Sequence, residues 1–172
     1  MNRPRQETMF TTLAQARFNF KDSIEEAIEQ SSKDPVVCPC CKHRHKVYKR
    51  TIDFSTALTL AYMYKAGGLV AVHVSKVQRK YGNINSGGYF AQLRFWGLIE
   101  ESKNHDIKGG RQSGYWRVTE KGEQFVKGII IIPKYVHVLR NECLGHSGDL
   151  ISIVDCLPED FDYKTMMERE GW

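Results

Sequence analysis

The chain has no run of about eighteen apolar residues, the length a membrane-crossing helix needs. Its opening stretch, MNRPRQETMFTTLAQARFNF, has no apolar core of the kind that directs secretion. A soluble, cytoplasmic protein with no membrane partner is expected. Signatures of common catalysts are also missing: there is no P-loop, no G-x-S-x-G and no H-E-x-x-H, so no catalysis is expected. Acid is scarce where it would be most noticed. Between Pro35 and Ile99 the one carboxylate is Asp53, against ten bases: Lys42, Arg44, Lys46, Lys49, Arg50, Lys65, Lys76, Arg79, Lys80 and Arg94. That block carries +9, while the other fifteen bases and nineteen acids sum to −4. Clustered cations raise the local potential and draw in polyanions, so the middle of the chain points to an anionic partner.

What is present fits one main domain with appendages. A length of 172 residues with 41% hydrophobic content is enough to bury a core. Residues 1–34 read as a polar tail followed by a short amphipathic helix, in which Asp22 caps and Ile24, Ala27 and Ile28 share a face. Residues 35–52 hold a Cys-rich turn and a basic strand, HKVYKRTI, with Val47, Lys49 and Thr51 alternating against Tyr48, Arg50 and Ile52. From Asp53 to Ala66, apolar residues Phe54, Ala57, Leu58, Ala61 and Tyr64 recur at helical spacing, and Gly67-Gly68 ends the segment. A short apolar stretch, Leu69 to Val74, leads to Ser75 as cap of a two-turn helix closed by Gly82. Ser86 then caps a second helix, GGYFAQLRFWG, with Phe90, Leu93 and Trp96 inward.

Two strand-like pieces follow, Leu98 to Glu101 and Tyr115 to Thr119. They are separated by the thirteen residues Ser102 to Gly114, which carry Lys103, Lys108 and Arg111 against Asp106. A loop of that length in a compact domain is usually functional. Thr119-Glu-Lys-Gly-Glu123 begins another helix, which ends at Gly128. Beyond it, IIIIPKYVHVLRN and DLISIVDCL flank a Gly-containing turn and read as a hairpin. Pro133 suggests an edge or a bulge there, and the acidic end suggests a helix from Asp162.

Helix, short strand, helix, turn, helix and strand-loop-strand is the order of a winged helix-turn-helix. LRFWGLIEE resembles the end of a recognition helix entering the first wing strand, and GYWRVTEKGEQFVKG is similar to the second wing strand with the helix after it. The resemblance covers residues 53–128. It implies an α+β fold: a winged helix-turn-helix core with a Cys-rich turn before it and a β-hairpin extension, residues 129–172, after it. The wider arrangement, a Cys-Pro-x-Cys turn and a YKR strand ahead of the core with IPKYVHV behind, also resembles small phage and prophage proteins, a likeness that brings no known activity.

A winged helix implies a groove-facing helix and cationic flanks. The candidates on the groove-facing helix are Ser86, Tyr89, Gln92 and Arg94, with Gln92 suited to adenine and Arg94 to guanine or phosphate. Lys76, Arg79 and Lys80 suit phosphate anchoring, and Lys103, Lys108 and Arg111 suit the minor groove or adjacent backbone. Duplex DNA is the expected partner, although the residues alone leave DNA and RNA undivided. Winged helices also serve as protein adaptors, so a module that docks on a host or phage protein stands as the alternative, and the terminal strands offer an edge for a homodimer.

CPCCKHRHK is the second constellation. Cys38 and Cys41 have C-x2-C spacing around a proline, a turn that aims two thiolates at one ion, and zinc is the cofactor such a turn suits. A structural site needs four ligands. Cys143 and His146, spaced C-x2-H, would complete it, with Cys40, His43 and His45 as alternatives. Otherwise the cysteines are reduced thiols. Five cysteines, three of them within four positions, cannot all form structural disulfides.

Overall fold

The computed structural model describes residues 35–37, 42, 44–81, 88–102 and 114–168 of an α+β protein. The expected helix at 22–29 lies outside the described residues. By its contacts the chain divides into two compact units, Met1–Lys49 with His137–Leu144, and Arg50–Val136 with Gly145–Trp172.

In the first unit, strands β1 (Val36–Val37) and β2 (Arg44–His45) pair antiparallel, Val36 opposite His45 and Val37 opposite Arg44. The same unit holds the turn between β7 (Ile132–Leu139) and β8 (Glu142–Ile151). Arg140 and Asn141 both take left-handed conformations there, with φ of 48° and 69°. Two left-handed residues in a two-residue loop make the turn whose twist matches a β-hairpin. The structure thus corrects the expected hairpin. Glu142 to Gly148, read as its turn, is strand, and Val154–Cys156 is a short 3₁₀ helix. With β3 (Tyr48–Thr51), these strands form a sheet in the order β3-β7-β8. Pro133 therefore lies in the central strand and not at an edge. It sits at the strand's second position, and its carbonyl accepts the Trp96 indole N–H at 2.7 Å. The alternation expected along 47–52 is absent too: the buried residues are Val47 and Ile52, which flank β3, while Tyr48, Lys49 and Thr51 are all exposed.

The second unit is built around helix α1 (Phe54–Gly67). Asp53 caps it, its carboxylate accepting from the Thr56 amide at 2.8 Å and the Ser55 hydroxyl at 2.9 Å. Burial pushes this carboxyl up, but those hydrogen bonds outweigh it and hold it below the ordinary aspartate value. The one-sided helix expected here is instead buried nearly all round, from Thr56 to Ala61 and at Met63. Helices 74–80, 89–96 and 120–126 and strands 72–73 and 115–118 all pack against it, so residues off the predicted stripe, Leu60 and Met63 among them, are core. Phe54, on the stripe, is 39% exposed and meets Phe161 edge-on at 5.5 Å.

Strand β4 (Val72–His73) runs straight into helix α2 (Val74–Lys80), then come a 3₁₀ helix (Tyr89–Trp96), β5 (Ile99–Glu101) and β6 (Tyr115–Val118). The three strands form a sheet in the order β4-β6-β5, antiparallel throughout. In β6, Trp116 and Val118 face the core, while Arg117 points out to an ion pair with Glu100 at 2.6 Å. Helix α2 is not capped by Ser75, which lies inside it. The Val74 amide donates to the Gly114 carbonyl at 3.1 Å, so the strand pairing itself closes the helix start.

Helix α3 (Glu120–Val126) starts where expected. Thr119 Oγ1 accepts from the Gly122 amide at 3.0 Å and donates to the Gly97 carbonyl at 2.6 Å. Losing this cap costs about 1–2 kcal/mol. Thr119→Ala should lower the urea midpoint with an unchanged slope, and Thr119→Ser should restore most of the loss. The tail forms helix α4 (Tyr163–Glu168), with Asp162 accepting from the Thr165 amide. It is tied to the helical core by Tyr163 Oη donating to the Val126 carbonyl at 2.9 Å and by Lys65 Nζ donating to the Met166 carbonyl at 2.6 Å.

Candidate nucleic-acid interface

Helix α2 buries Val74 and Val77, three residues apart, and this turns Ser75, Lys76, Arg79 and Lys80 outward. Arg79 is steadied by an Nε–H bond to the Ser75 carbonyl at 3.3 Å, and the Lys80 ammonium lies 5.8 Å from the Tyr81 ring centroid. Among the described residues Lys76 has no ion-pair partner. These three are the predicted phosphate anchors, and the structure brings them together on one exposed helix face.

The predicted groove-facing helix is a 3₁₀ helix from Tyr89 to Trp96 and not an α-helix. Phe90, Leu93 and Trp96 are three residues apart, the spacing that aligns on a helix of three residues per turn. Leu93 and Trp96 are fully buried, and Phe90 meets Trp116 edge-on at 5.6 Å. This geometry redistributes the candidate side chains. Tyr89 is 59% exposed, Gln92 has its Oε1 buried with no hydrogen-bond partner among the described residues, and the half-buried Arg94 has its guanidinium 4.9 Å from the centre of the Phe95 ring. Tyr89 alone of the described candidates on this helix stands well clear of the surface. Ser86, Lys103, Lys108 and Arg111 lie outside the described residues. The ends of the loop that bears the last three are fixed, because the Ser102 amide donates to the Tyr115 carbonyl at 2.9 Å and Gly114 takes φ 89°.

Of the predicted metal ligands, Cys38, Cys40, Cys41 and His43 lie outside the described residues, and of His45 only the backbone is described. Cys143 is exposed. His146 places Nε2 2.9 Å from the Phe95 carbonyl oxygen. A carbonyl only accepts, so that nitrogen carries a proton. Among the described residues no three His, Cys, Asp or Glu side chains gather in a metal-holding group. Cys156 is a poor nucleophile: burial, and then the neighbouring Asp155 charge, push its thiol up to about 11.

His73, inside the apolar stretch Leu69 to Val74, is not among the candidate residues that the sequence points to. Its ring meets Tyr115 edge-on at 5.0 Å, and its Nδ1 is buried without a hydrogen-bond partner among the described residues. The available signal was its position, directly before the cationic helix. Comparison with protein-family models, with curated proteins and with solved structures gives no match to this chain. No helix among the described residues is long and apolar enough to cross a membrane.

Proposed function

We propose that residues 53–128 form a winged helix that binds duplex DNA mainly through its phosphates and acts as a regulator or accessory factor without catalysis. The observation that carries this reading is the face of helix α2, where Lys76, Arg79 and Lys80 stand exposed beside a sheet whose two longer strands lead into the basic loop 103–113. Phosphate contacts hold a protein on DNA without reading its sequence. The groove-facing 3₁₀ helix adds little base reading, because the Gln92 carbonyl is turned inward and Arg94 lies against Phe95. Fluorescence anisotropy of a labelled random duplex tests the proposal. Binding that weakens steeply with salt supports it, and no binding at the lowest salt rejects it.

One observation favours the alternative of a protein-docking module. Ile129 and Ile131, just after helix α3, are 68% and 55% exposed. A protein retained on the tagged chain from native cells, with no affinity for duplex, would decide for it.

A zinc ion accompanies the main reading, with Cys38, Cys41, Cys143 and His146 as its ligands and Cys40, His43 and His45 as alternatives. The pairing of β1 with β2 on either side of residues 38–43 supports a knuckle of this kind. Protein purified without added metal should carry about one zinc per chain by elemental analysis, and less than about half removes the site.

A further inference from the structure

We infer that a cleft between helix α2 and the paired ends of strands β4 and β6 is a binding site for a nucleoside phosphate. The cleft encloses about 530 Å³, within the range of small-ligand sites. Its walls combine two kinds of group that a nucleotide needs. Lys76 and Lys80, one helical turn apart, line it together with His73, and no carboxylate is among the described lining residues. Tyr81 and Tyr115 supply aromatic surface for a base, and Val72 and Val77 supply an apolar lining.

Rigid walls reduce the ordering cost of binding. Tyr81 is stacked on Tyr62 at 4.3 Å with the rings 9° from parallel, and the His73 ring is held edge-on to Tyr115. Gly114 closes the far side of that histidine, where an added Cβ would lie 3.2 Å from Nε2, so the ring has little room to swing away. Phosphate on the lysines beside His73, with the base against tyrosine, uses both kinds of described wall.

Site and ligand stand on the cleft alone. One consequence rests on the duplex-binding reading: Lys76 and Lys80 serve both ligands, so nucleotide and duplex compete.

Calorimetric titration of the full chain with AMP, GMP, CMP and UMP, and separately with inorganic phosphate, tests the site. At least one nucleotide should bind one-to-one with a Kd on the order of 10–100 μM. Inorganic phosphate should bind at least about tenfold more weakly, since it lacks the stacking part. Lys76→Gln and His73→Asn should each weaken the nucleotide by about tenfold, with His73→Asn leaving duplex affinity unchanged in the anisotropy assay. No heat from any nucleotide up to about 5 mM overturns the site, as does equal affinity for phosphate alone or a Lys76→Gln chain that binds as before. Duplex binding without nucleotide binding rejects the cleft and spares the DNA reading. Nucleotide binding without duplex binding does the reverse.

Discussion

Lys76, Arg79 and Lys80 replaced together by alanine should lower affinity for random duplex about a hundredfold at low salt and flatten the salt dependence. Each phosphate neutralised releases condensed counterions, and log affinity falls against log salt with a slope of about −0.9 per contact. With about five bases engaged, the parent chain should show a slope near −4 to −5, and the triple variant a slope shallower by about 2.7. The three side chains are exposed, so the variant should melt close to the parent. Gln92→Ala and Arg94→Ala are the internal comparison, and they should change sequence preference little, because one side chain turns its carbonyl inward and the other lies over a ring. A triple variant with unaltered slope would move the phosphate contacts off helix α2. A large change in preference at Gln92 would restore base reading to the 3₁₀ helix.

Which parts of the fold were legible follows from the chemistry of each signal. Asp53 and Thr119 mark their helix starts because a side-chain oxygen replaces a missing backbone partner, a local event that depends on a few residues. Helix α2 was legible in type and exposed face but not in its cap, because its first amide is satisfied by Gly114, forty residues away in sequence. The burial of helix α1 on most of its sides arises from five separate elements packing on it, which no periodicity within the helix encodes. The Phe90, Leu93, Trp96 spacing did contain the 3₁₀ solution, since a strict interval of three matches that helix better than 3.6. Arg140-Asn141 carried a weaker hairpin signal because neither residue is glycine, and the glycines downstream drew the turn toward themselves. At the candidate site, the cation cluster could be read directly from composition, whereas the cleft depends on the paired ends of β4 and β6 meeting helix α2 in space.

Gly122→Ala should be the most damaging single change on this surface of the core. Inside an exposed helix the same substitution would stabilise by up to about 1 kcal/mol, through propensity. Here the sign reverses. A Cβ at position 122 would fall 2.1 Å from the Leu98 carbonyl oxygen, 2.7 Å from Val118 Cγ1 and 3.0 Å from the Leu98 carbonyl carbon. That carbonyl has little freedom to retreat, because it accepts the Thr119 amide at 3.0 Å and belongs to a residue that is fully buried. Either helix α3 lifts off or the chain entering β5 shifts, and both disturb Phe125 and Val126, which the helix buries. Overpacking against a fixed backbone costs about 3 kcal/mol or more, which for a chain of this size lowers the melting temperature on the order of 10 °C. Gln124→Ala, on the exposed side of the same helix, should stay within about 0.5 kcal/mol of the parent. The comparison separates close packing from a general loss of helix content, since both variants gain or keep helix propensity and only one meets the Leu98 carbonyl. If Gly122→Ala melts at or above the parent temperature, helix α3 does not press on the chain before β5, and the hairpin loses the support that sets its base.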